Sequence, residues 1–220
     1  PVAHQRAALP WDWESFPEYM DAVERFPRAI DVAAQVPHCA VRTYVMGERG
    51  SKNEMATPAD VASMAAIVKE GIECGALGFT TSRTELHTTG GDQAMPGTYA
   101  DEAELLGIGK VIGELDGKGI FGLVSDFHNW EQEMDWMKRL SIANNCQVNF
   151  VLFFREEKDW DRVLKQLDYC RRARAEGALL IPHVGARPVN ILLSWDGTIN
   201  PFSFHTNYAA LSIMSHEERL

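Results

Sequence analysis

Three short apolar runs constrain this chain most: IFGLVS from Ile120, VNFVLFF from Val148 and LLIPHV from Leu179. None alternates apolar and polar residues as a half-exposed antiparallel strand does. They predict strands of a parallel sheet buried on both faces. Amphipathic helical patterns separate them, as the crossovers between parallel strands require. The expected strands are Ile120 to Ser125, Val148 to Phe154 and Leu179 to His183, with two earlier ones at Ala40 to Met46 and Leu77 to Thr81.

The helices are read from spacing and from their ends. One begins after Trp13, with Phe16, Met20 and Val23 on one face, and a short second one covers Arg28 to Val36. Thr57-Pro58-Ala59-Asp60 is a helix start, combining a capping hydroxyl, a proline in the first turn and an acid near the positive end of the helix dipole. Val61, Met64, Ala65, Val68 and Ile72 follow in phase and Gly75 stops the helix. Further helices are expected at Asp101–Asp116, Asn129–Asn144 and Lys158–Ala175, the last with Trp160, Val163, Leu164 and Leu167 inward. MSHEERL at the end reads as the beginning of another helix.

Five strands do not close a barrel, which needs eight strands and roughly 250 residues. Two architectures remain: an open doubly wound sheet, or part of a TIM-type (β/α) barrel. The partial barrel is favoured, with residues 1–220 forming a single segment whose flanking strands lie outside the chain.

The net charge of −10 argues against nucleic acid as a partner. No apolar run approaches the length of a membrane span. The four cysteines, Cys39, Cys74, Cys146 and Cys170, form no CxxC pair and read as free packing thiols of a reducing, cytoplasmic compartment. The partner expected is a small-molecule substrate, with self-association into a homo-oligomer as a further option.

Active sites of parallel α/β folds form at the C-terminal ends of the strands. That rule selects Gly47, Glu48 and Arg49; Ser82, Arg83 and a long loop with His87 and Tyr99; Ser125, Asp126 and His128; Arg155; and His183, followed by Gly185 and Arg187. His183 is the candidate metal ligand, the plain alternative being a histidine bonded to a carbonyl. Asp126 is the candidate proton acceptor, the alternative being a helix cap. Arg83, Arg155 and Arg187, with Tyr99, are candidates for holding a substrate carboxylate, and surface ion pairing is the alternative for each arginine. There is no HxH pair, HExxH, GxSxG elbow, P-loop or GxGxxG after a strand.

Several segments in order resemble the N-acyl-D-amino-acid deacylase and D-aminoacylase branch of the amidohydrolases. WDWESFPEYMDAV resembles that branch's Trp-x-x-Phe-x-x-Tyr helix. VPHCAVRTYVMGERG resembles its Val-Gly-His-x-x-x-Arg segment, with Pro37 in place of glycine. ATPADVASMAAIVKEGIECGALGFTTSR resembles the helix and strand ending Gly-x-Ser-Thr, and MPGTYADEAELLGIG the next helix start. PHVGARPVNILLSWDGTINPF resembles a later strand and loop. The resemblance implies a metal-dependent TIM barrel that hydrolyses the amide of N-acyl-D-amino acids with zinc-activated water. The family's first-strand His-x-His and final-strand aspartate have no counterpart here and are expected outside this chain. Ser125-Asp126-Phe127-His128 replaces the usual Thr-His-x-Arg, and VNFVLFFRE lacks the histidine of the following strand. His183 alone falls near a position where the family offers a metal ligand. The rival expectation is a truncated or degenerate, non-catalytic barrel piece that self-associates or binds a small ligand.

Overall fold

The computed structural model describes residues 11–89, 93–115, 119–153, 157–186, 193, 200–203 and 205–219. Its centre is a five-stranded, all-parallel sheet with strands in sequence order: β1 Val36–Pro37, β2 Gly78–Arg83, β3 Ile120–Ser125, β4 Gln147–Val151 and β5 Leu179–His183. The helices are α1 Phe16–Glu24, α2 His38–Met46, α3 Glu48–Ser51, α4 Pro58–Glu73, α5 Glu102–Glu114, α6 Trp130–Asn144 and α7 Trp160–Ala175, the last preceded by a 3-10 turn at Glu157–Asp159.

Strand order separates the two architectures left open by the sequence. Crossovers between parallel strands are right-handed almost without exception. A sheet that advances in one direction therefore keeps its helices on one side, whereas a doubly wound sheet reverses and covers both. Here the order never reverses, and the helices pack side by side in sequence, α2 on α4, α4 on α5, α5 on α6 and α6 on α7. This is the wall of a partial TIM-type barrel.

Burial follows the same division. Phe79, Thr81, Phe121, Leu123, Ser125, Val148, Phe150 and Leu180 are buried under the helices. Aromatic rings run through that layer: His38 on Phe79 at 5.2 Å, Phe79 on Phe121 at 5.1 Å and Phe121 edge-on to Trp136 at 5.9 Å. Full burial of such a side chain contributes about 1.5–3 kcal/mol. On the other face Thr80, Ser82, Val124, Asn149, Val151 and Ile181 are half-buried and His183 is exposed. The expectation of burial on both faces is corrected: the described residues cover one.

Local signals account for most elements. Thr57 accepts from the Asp60 N–H while Asp60 accepts from the Thr57 N–H, a reciprocal capping box that begins α4. Together with Arg49, Thr57 lowers the Asp60 carboxyl to about 2. Ser15 and Glu18 form the same box at α1. Gly78 has φ +142, and a Cβ there would lie 2.0 Å from the Ile120 carbonyl oxygen, so the β2–β3 approach requires glycine.

Three further expectations change. Residues 40–46 are helix, not strand, because the inward positions of α2 are His38, Val41, Arg42 and Met46, a helical spacing half of which is polar. Gly47, Glu48 and Arg49 therefore follow a helix, not a strand. Arg28–Val36 is extended and turn-like, ending in β1. Trp160 and Leu164 are about half exposed, and α7 turns Val163 and Gln166 inward instead. All four cysteines are free, and burial pushes the Cys146 and Cys170 thiols up to about 11, which keeps them protonated and unreactive.

The chain divides into two compact units, Pro1–Val184 and Gly185–Leu220. The second contains α8 Tyr208–Ser212 and α9 His216–Arg219, with Ser215 capping α9 through Glu218. Inside that unit the buried Asn200 amide donates to the Tyr208 hydroxyl at 2.5 Å.

Candidate functional site

Side chains alternate along β2, and the two sets have separate duties. Thr81 and Arg83 point into the helix layer, while Thr80 and Ser82 lie on the half-exposed face.

Behind Thr81 is a buried ionic network. His38, Arg42 and Glu104 are each no more than 2% exposed. Glu104 accepts from Arg42 Nε at 2.8 Å and is bonded to His38 Nε2 at 2.9 Å. The other Arg42 nitrogens donate to the carbonyls of Gly50, at 2.8 Å, and Glu54. Burial raises the Glu104 pKa, but hydrogen bonds from His38 and Arg42 outweigh it and hold the carboxyl below its ordinary range. Burial also lowers the His38 pKa, more than Glu104 raises it, so the ring is neutral. An ionised carboxylate only accepts, so His38 carries its hydrogen on Nε2 and its Nδ1 accepts from the Thr81 hydroxyl at 2.8 Å. The sequence reading passed over Glu104; the His-x-x-x-Arg spacing of His38 and Arg42 was the available signal.

This network braces the long β2–α5 loop. Gly97, at φ +94, packs so tightly on the His38 ring that a Cβ would lie 2.6 Å from Nδ1. Asn53 accepts from the Gly97 N–H at 2.8 Å and donates to the carbonyls of Ala94 and Met95. The described part of the loop is thus tied down at its far end, unlike a free lid.

Arg83 ties the same loop to the wall. Its Nε and one terminal nitrogen meet Glu133 at 2.8–3.2 Å, and the other terminal nitrogen donates to the Ala100 carbonyl at 2.7 Å. The guanidinium also lies over the Trp136 ring at 5.8 Å. Glu133 accepts in addition from Ser125 Oγ at 3.2 Å. Arg83 thus already has a carboxylate partner within the protein, Glu133.

Asp126 and His183 stand at strand C-terminal ends. Asp126 follows β3 directly, and its N–H continues the ladder to the Arg83 carbonyl at 3.2 Å. Its carboxylate accepts from Thr84 Oγ1 and the Glu85 N–H, both at 2.8 Å. It does not cap α6, whose N-cap is Asn129. His128 Nε2 is 3.9 Å from Asp126 and largely exposed. Ser82 Oγ is hydrogen-bonded to His87 Nδ1 at 2.8 Å. In register, Ser82 pairs with Val124, and Val151 with His183. His183 closes β5 at the same end of the sheet as Asp126 and on the half-exposed face. Its carbonyl accepts from the Leu152 N–H at 2.9 Å. Tyr99 is 57% exposed in the β2–α5 loop. Arg155 and Arg187 lie outside the described residues.

Two donor sets are relevant to a metal. Glu85, Asp126 and His128 bring ligand atoms within 4.8 Å of one another. Both Asp126 oxygens there already accept hydrogen bonds, which explains the cluster as loop closure. His183 offers an imidazole at a strand end, the donor type zinc accepts, but zinc takes about four ligands. Among the described residues His183 is thus a single donor of a type that zinc accepts.

The chain matches a model of the amidohydrolase family over residues 2–219. A D-aminoacylase of Alcaligenes xylosoxydans xylosoxydans is 30% identical over 90 residues, which is 37% of this chain and 18% of that protein. An uncharacterized protein of Mycobacterium tuberculosis is 29% identical over 94 residues, 40% of this chain and 15% of that protein. Among solved structures, a D-aminoacylase studied for its binuclear metal centre superposes with TM-score 0.63 at 18% identity, over 80% of this chain and 34% of that one. An N-acyl-D-glutamate deacylase from Bordetella bronchiseptica, complexed with zinc and a phosphonate inhibitor, superposes with TM-score 0.64 at 22% identity, over 79% and 34%. The chain spans about a third of the length of these structures and less of the sequence relatives. Among the described residues no helix is long and apolar enough to cross a membrane. With the family model matched along nearly its whole length and a fold shared with these deacylases, this chain belongs to the amidohydrolase family.

Proposed function

We propose that the protein carrying this chain is a metal-dependent hydrolase that cleaves the amide bond of N-acyl amino acids, with a preference for the D series. The observation that carries the reading is the half-exposed face of a barrel-type sheet, with Ser82, Asp126 and His183 gathered at the C-terminal ends of its strands. Strand C-termini are where parallel α/β enzymes place their chemistry.

In this reading His183 supplies one ligand to zinc, and the other ligands come from elsewhere in the protein. Bound zinc would acidify a water molecule and polarise the amide carbonyl. Asp126 accepts a proton during attack, its carboxylate aimed by the Thr84 hydroxyl and the Glu85 N–H. Tyr99 contacts the substrate; Arg155 and Arg187, outside the described residues, are candidates for its carboxylate on the sequence alone. Arg83, matched to Glu133, positions the loop that carries Tyr99 through its bond to Ala100.

The test is release of free amino acid from N-acyl-D- and N-acyl-L-substrates, before and after chelation. D-selective hydrolysis that is lost on chelation and restored by zinc is expected. Asp126→Asn is expected to lower kcat by about 10²–10⁴-fold, the usual range for a general base. Full activity in chelator, or none on any N-acyl amino acid, would reject the reading.

A second reading is a non-catalytic chain that self-associates. It is favoured by the outer edges of β1 and β5, which pair with no other described strand. Open edges template association. Sedimentation discriminates: a monodisperse, folded monomer counts against it.

A further inference from the structure

The sequence WDWESF, just before α1, builds a feature that the proposed hydrolysis does not use. Trp11 and Trp13 stack at 5.2 Å with their planes 24° apart. Trp13 meets Tyr19 at 5.5 Å, and Tyr19 meets Phe16 at 5.5 Å. The capping box of Ser15 and Glu18 fixes this turn, so the rings are presented by a defined helix start. With Tyr44 of α2, 64% exposed, these rings line a cleft of about 580 Å³. Ala34–Pro37, and Ile67 and Glu70 of α4, line it as well. None of the rim residues Ser82, Asp126 and His183 lines it.

The cleft's electrostatics are one-sided. Among the described residues that line it are two carboxylates, Glu14 and Glu70, and no lysine, arginine or histidine. Glu14 is held in place by the Tyr44 hydroxyl, which donates to Oε1 at 3.0 Å. That bond raises the Tyr44 pKa, as expected beside a fixed negative charge. A bare metal cation would find too few oxygens, since calcium takes six to eight. A cation wrapped in alkyl groups meets both requirements, because ring faces attract positive charge while the alkyl coat fills the apolar space.

We infer that this cleft binds a small organic ammonium ion, with the Trp13, Tyr19 and Tyr44 rings around its alkyl groups and Glu14 balancing its charge. Ser82, Asp126 and His183 are not among its lining residues, so it stands or falls separately from the proposed hydrolysis.

The test is calorimetric titration of the full protein with choline chloride, and with its neutral isostere 3,3-dimethylbutan-1-ol. The cation is expected to bind at least about ten-fold more tightly than the alcohol, and to change tryptophan fluorescence. Potassium chloride at equal ionic strength is expected to do neither. Glu14→Gln, an exposed substitution that leaves the core intact, is expected to weaken choline several-fold and leave the alcohol unchanged. Trp13→Ala is expected to abolish binding and Trp13→Phe to retain part of it. Equal affinity for cation and alcohol would overturn the inference in favour of a plain apolar groove. So would the absence of any binding, the result if other polypeptide fills the cleft.

Discussion

The two faces of one sheet obey different rules although their residues alternate along the same strands. On one face Phe79, Phe121 and Phe150 are buried under helices, with at most 1% exposure. One residue along, and paired in register, are Thr80, Gly122 and Asn149, small or polar. The first row holds the wall together by packing. The second does little packing among the described residues and leads to the strand ends where Asp126 and His183 stand. Within this chain, stability and candidate chemistry are divided between alternating positions of the strands.

The division can be broken most severely at the ionic network. Glu104→Ala strands a buried arginine and histidine, and loss of one partner of a buried pair typically costs about 3–5 kcal/mol. Denaturant unfolding is expected to show a loss of that size, with Glu104→Gln losing less. Phe121→Ala is expected to cost a comparable ~3–5 kcal/mol through the cavity it opens. Its neighbour on the other face, Asn149→Ala, is expected to stay within about 0.5 kcal/mol. Equal effects at Phe121 and Asn149 would dissolve the contrast.

Acid sharpens it further. His38 and Glu104 both have pKa values below their ordinary 6.5 and 4.5. The unfolded chain therefore binds more protons than the folded one as pH falls, so both groups destabilise the fold in acid. Stability is expected to be flat above about pH 7, to fall below pH 6.5 as unfolded His38 takes up its proton, and to fall more steeply below 4.5. His38→Gln is expected to flatten the upper part of that curve in pH-dependent urea unfolding. A smaller loss than at Glu104 or Phe121 belongs to the α4 cap, where Thr57→Ala is expected to cost about 1 kcal/mol.

The strands and their direction were legible because IFGLVS, VNFVLFF and LLIPHV carry the apolar burden of a parallel sheet. The Thr57 cap was legible because its chemistry is local. Helix α2 was not, since a helix whose inward face carries His38 and Arg42 has no apolar stripe to detect, and its partner Glu104 lies more than sixty residues away. Arg83 illustrates the same limit at the candidate site. Its place at a strand end was visible, but its pairing with Glu133 depends on α6 returning beside β2. That Asp126 directly follows a strand was legible, while its bonds to Thr84 and Glu85 come from a loop with no periodicity to read.

The division of faces is tested most directly by metal content. Elemental analysis of the purified protein carrying this chain should find zinc in the unaltered form. Zinc should be lost or much reduced in His183→Ala and retained in His128→Ala, whose ring stands outside the sheet. Undiminished zinc in His183→Ala, or its loss only in His128→Ala, would contradict the placement of the metal site on the half-exposed face.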